Sequence, residues 1–141
     1  MLIPATQIKS RRLFGLLLGV VFTASGCSRP SAPAAPASQT VGGLTITLSA
    51  SPAAHTGDNT FVVTLRDAAN QAPVGNANVS AAPEMLSPRL PGTNTSGRAQ
   101  GNGTYTVPIR LGVATRYDVA LHVERPGHPA ADASFPVEAA Q

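Results

Sequence analysis

The chain has no tryptophan, one cysteine and few charged side chains. A lone cysteine excludes an internal disulfide, so stability must come from an apolar core. The net charge of +3 does not mark a basic binding surface, because Lys9, Arg11 and Arg12 supply the whole excess. After Cys27 the arginines and the acidic residues balance. That balance removes the electrostatic footprint a nucleic-acid partner requires. Apolar spacing of three and four residues is missing too, which argues against helices. The three histidines, His55, His122 and His128, lack the local spacing of a zinc or protease motif. Gly101-Asn102-Gly103 joins segments that read as strands, whereas a phosphate loop needs a helix amino terminus behind it. With no nucleophile, metal or phosphate signature, the expectation is a protein that is not an enzyme.

What is present begins with a positively charged start, an apolar run from Leu13 to Phe22, and the small-residue step Ala24-Ser25-Gly26-Cys27. The run is short against the ~20 apolar residues that span a bilayer as a helix, and small residues follow it where a signal peptidase must fit. Residues 1–26 therefore read as a lipoprotein signal peptide, with Cys27 as the mature first residue and lipid attachment site. A thioether-linked diacylglycerol together with an amide-linked acyl chain such as palmitate gives the two-signal anchoring that holds a domain stably on a membrane. The expected location is the cell envelope, on the periplasmic or extracytoplasmic side. From 27 to 40 the chain is rich in Pro and Ala, the composition of an extended linker. A folded domain is expected over 41–141.

In that domain the apolar period is two. Leu44, Ile46 and Leu48 alternate with polar residues, as do Phe61, Val63 and Leu65, then Tyr105, Val107 and Ile109, then Tyr117, Val119, Leu121 and Val123, and last Ala133, Phe135 and Val137. A weaker strand covers 77–82 and is expected to stop at Pro83. Residues 84–100 read as irregular, with at most a short edge strand, and Pro108 predicts an edge or a bulge. The fold class is all-β: an immunoglobulin-like antiparallel β-sandwich of about seven strands. The aromatic residues fall on inward positions and read as core.

For a metal the candidates are Met85, His55 and His128, since thioether and imidazole suit copper; none is committed as a ligand and no cofactor is required. His122 projects from an outward strand position. The segment Pro83 to Arg98 is the candidate surface for a protein partner.

Gly43-Leu44-Thr45-Ile46-Thr47-Leu48-Ser49-Ala50-Ser51-Pro52, with Gly57-Asp58-Asn59-Thr60-Phe61 and Val63-Thr64-Leu65-Arg66-Asp67, resembles the opening of the YtkA-like domain, related to FixH. Gly101 to Tyr105 and Tyr117 to Val123 look like that family's later strands. The resemblance implies an immunoglobulin-like sandwich outside the cytoplasmic membrane, with links to copper handling and respiratory-oxidase assembly. Where many relatives carry a methionine-rich loop, residues 82–91 hold Met85 alone. The leading expectation is thus a lipid-anchored, non-enzymatic module that binds another envelope protein. The alternative is a periplasmic copper-handling or oxidase-assembly accessory protein.

Overall fold

The computed structural model describes residues 36–141; the expected signal peptide 1–26, Cys27 and the linker up to residue 35 lie outside them. The described residues form ten strands and no helix: β1 (Ala37–Val41), β2 (Leu44–Ala50), β3 (Gly57–Asp67), β4 (Asn78–Leu86), β5 (Arg89–Pro91), β6 (Thr95–Ser96), β7 (Arg98–Gly101), β8 (Thr104–Leu111), β9 (Arg116–Glu124) and β10 (Ala131–Glu138). They make two antiparallel sheets, ordered β1-β2-β3-β8-β7 and β10-β9-β4-β5, with β6 also against β4. The order β2-β3-β8-β7 facing β4-β9-β10 is that of the four- and three-stranded sheets of an immunoglobulin constant-type sandwich.

The expected alternation closes the two layers. Leu44 and Ile46 from β2, Phe61, Val63 and Leu65 from β3, Tyr105, Val107 and Ile109 from β8, Val119, Leu121 and Val123 from β9, and Phe135 from β10 are all buried in one core. Burying these side chains is the main favourable term for a domain without staples.

Four local features differ from or refine the sequence reading. First, Ala37–Thr40 belong to the fold rather than to the linker: β1 pairs with β2 through Gly42-Gly43, both at positive φ (56° and 72°), the mirror-image turn that matches strand twist. Second, Pro83 does not end its strand. Its carbonyl accepts a hydrogen bond from Gly92 N at 2.6 Å, so its ring nitrogen faces the same side, between β5 and β6, where the ladder asks for no donor. Third, residues 84–100 are the crossover between sheets and carry β5, β6 and β7. Fourth, β7 stops at Arg98 opposite Thr106, so Pro108 stands on a part of β8 that β7 does not reach.

The registers sort the connections to two ends. At the lower end lie Ala37, the connections 51–56, 87–88 and 112–115, and residues 139–141; at the upper end lie 42–43, 68–77, 102–103 and 125–130.

Candidate functional site on the outer face of the second sheet

Outward positions on β4, β9 and β10 are occupied by small side chains in the middle of the sheet. Register aligns Ala82, Ala120 and Ser134 in one cross-strand row and Ser80, His122 and Asp132 in the next. Because these side chains are short, the face is concave, and a depression of about 500 Å³ lies over them. Gln39 of β1 walls one side, its amide donating to the Ser134 carbonyl. Asn94, between β5 and β6, walls the other. From the segment Pro83 to Arg98, Asn94 lines this depression.

His122 is the chemically distinctive side chain of this face. Its Nδ1 lies 2.6 Å from Asp132 Oδ1 and its Nε2 lies 3.4 Å from Glu124 Oε1. The hydrogen bond to Asp132, then that to Glu124, raises the imidazole above its ordinary pKa of 6.5. A raised folded-state pKa stabilises the fold fully below the unfolded value and loses that contribution as pH climbs through the folded value. The energetic effect is small, since His122 is about half exposed and water screens the pair. The expected result is a His122 ring titration, followed by NMR, with a midpoint above 6.5 that falls in Asp132→Asn; an unchanged midpoint would count against the pair.

The row Ser80, His122, Asp132 contains the residue types of a nucleophile relay. The nitrogen a serine would need lies 3.4 Å from Glu124 Oε1, so His122, Asp132 and Glu124 form an ion-pair network on this face.

Two of the three metal candidates lie at one end of the sandwich and the third at the other. Met85 sits half-buried on β4 opposite Tyr117 at the lower end. His55 is also low, bridged to Ala140, with Nδ1 3.3 Å from the Ala53 carbonyl. His128 lies in the connection 125–130 at the upper end, and the rise of ~3.3 Å per residue along β4 separates it from the other two by roughly 25 Å. Met85 and His128 therefore stand apart by topology: one lies next to last in β4 at the bottom, the other follows β9, which finishes at the top. Among the described residues no group of three or more His, Cys, Asp or Glu side chains is placed to hold a metal.

Several structural roles escaped the sequence reading. Tyr117 is core, as expected, but its hydroxyl also donates to Val113 O at 3.0 Å and accepts from Val113 N at 3.1 Å. This is a tyrosine corner, pinning the connection into β9. Its signal was available: a tyrosine at the start of the strand that follows a four-residue connection. Tyr105 does the same work at the other end, donating to Val74 O at 3.0 Å and accepting from Ala77 N at 3.1 Å. Buried Asn59 holds the 51–56 connection, accepting from His55 N at 2.9 Å and donating to His55 O at 2.7 Å.

The domain defined by these layers is an immunoglobulin-like β-sandwich with a concave outer sheet face. No family model matches the chain, and no curated protein matches it. Among solved structures it is similar to a DUF4426 family protein from Pseudomonas aeruginosa, with a TM-score of 0.54 and 17% identity over 74% of this chain and 96% of that one. At that identity the likeness is one of fold, and it spans nearly all of the other protein.

Proposed function

We propose that the protein is a lipid-anchored, non-enzymatic module of YtkA-like type in the cell envelope, which binds a segment of another envelope protein on the outer face of its second sheet. The supporting observation is the depression between Gln39 and Asn94, floored by Ala82, Ala120 and Ser134. A floor of small side chains leaves room for an extended segment, and the side chains of Gln39, Ser80, Asn94 and Ser134 around it supply hydrogen-bonding groups. Glu124 and Asp132, flanking His122, suit a segment with a basic side chain at that end. Export through residues 1–26 and acylation at Cys27 place this face beside membrane partners.

Ala120 is exposed, so Ala120→Arg fills the depression without touching the core. After crosslinking in intact envelopes, a partner recovered with the wild-type chain is expected to be recovered at least about tenfold less with Ala120→Arg, a loss of ~1.4 kcal/mol. Undiminished recovery would move the contact off this face.

A further inference from the structure

We infer that the lower end of the sandwich rests on the phospholipid surface. All three large apolar side chains that stand exposed among the described residues, Leu86, Leu90 and Val113, lie at this end; Leu90 and Val113 are 52% and 51% exposed. Leu86 and Leu90 flank the β4–β5 turn, and Val113 tips the connection into β9. The three connections at this end, 51–56, 87–88 and 112–115, contain no Asp, Glu, Lys or Arg. Of the charges at this end, Arg89 meets Glu84 at 3.0 Å and Arg110 meets Asp58 at 3.7 Å, while Arg116 stands opposite Glu138 in the β9–β10 register. Such pairing offsets the carboxylates that would repel an anionic headgroup layer.

The chain itself selects lipid as the occupant. It enters the fold at Ala37, at this same end. Nine residues, 28–36, separate Ala37 from Cys27, and at ~3.1 Å each they extend to roughly 28 Å. On the reading that Cys27 is acylated, on which this inference rests, the tether keeps the lower end within roughly 28 Å of the bilayer, and exposed leucine and valine gain by entering the headgroup region from there. The outer face of the second sheet then stands upright and sideways, open to a partner in the same membrane.

The chain has no tryptophan, so one introduced residue reports alone. Full-length Leu90→Trp, and separately Val113→Trp, would be isolated from membranes with the acyl group attached and reconstituted into phosphatidylcholine–phosphatidylglycerol vesicles containing lipid spin-labelled near the headgroup. Side chains that enter the interface sit roughly 5–10 Å deep, so their fluorescence is expected to be quenched at least about twofold more than that of His128→Trp at the upper end. Equal quenching at the two ends overturns the inference, and is also the result if this end docks on protein, since the vesicles contain none. Vesicle flotation compared with Cys27→Ala reads the anchor separately. Flotation through Cys27 with equal quenching removes this inference alone, whereas flotation that ignores Cys27 removes the anchor and the inference with it.

Discussion

Tyr105→Ala is expected to lower the stability of the domain by about 4–6 kcal/mol, the largest effect of any single truncation proposed for it. Tyr105 is the bulkiest of the fully buried side chains, at 1% exposure, so its removal opens a cavity between the sheets. Truncating a buried aromatic ring costs ~3–5 kcal/mol by lost burial and the cavity left behind. The hydroxyl adds a second loss. Val74 O and Ala77 N both bond to it, and both are left without that partner within the partly buried connection 68–77. An unpaired buried group costs ~1–3 kcal/mol. Tyr105→Phe separates the two contributions, because it keeps the ring and removes only the hydrogen bonds; about 1–2 kcal/mol is expected. Thermal unfolding followed by circular dichroism checks both, with about 4–8 °C of midpoint for each kcal/mol in a domain of this size. A shift under about 5 °C for Tyr105→Ala would be incompatible with a ring packed at the centre of the core.

The second large effect is expected at the β7–β8 turn. Gly103→Ala should cost about 3 kcal/mol or more, from two causes that a control variant resolves. Gly103 has φ of +71°, a conformation that costs an L-residue ~1–2 kcal/mol. A Cβ there would also lie 2.4 Å from Leu65 O and 2.9 Å from Val74 N. Neither atom can retreat cheaply. Leu65 N donates to Gly103 O at 2.7 Å, and Leu65 O accepts from Val74 N at 3.0 Å, so the crowded atoms belong to the backbone bonds that lock β3, the turn and the 68–77 connection together. Gly101 has φ of +98° but open space where a Cβ would go. Gly101→Ala is therefore expected to show only the conformational cost, at most about 2 kcal/mol. If the two alanine variants melt together, close backbone approach is not what demands glycine at 103.

Much of the fold was legible because period-two alternation responds directly to a buried face. Leu44-Ile46-Leu48 and Tyr117-Val119-Leu121-Val123 declare their inward sides without reference to any neighbour. The first strand was not legible for the opposite reason: Ala37 to Val41 lies at a sheet edge, covers little of the core, and carries no apolar alternation. Its one signal was the Gly42-Gly43 pair, a two-residue hairpin turn before a clear strand. Pro83 misled because proline forbids only a donor, and whether a strand position needs its donor depends on which neighbour lies beside it. The candidate site was hidden for a related reason. Ser80, His122 and Asp132 are far apart in the chain, and only strand order brings them into one row.

By itself the sequence determined the layered all-β architecture, the identity of the core residues and the turn at 101–103, since each follows from local periodicity or from backbone freedom at particular residues. The tertiary structure alone decided which distant strands became neighbours, and with that the concave face over Ala120, the carboxylates on both nitrogens of His122, the separation of His128 from Met85, and the gathering of Leu86, Leu90 and Val113 at the end where Ala37 enters. Those outcomes depend on pairing register and on which end of a strand a connection leaves, and register is set by the fit of two whole faces, which no single segment encodes.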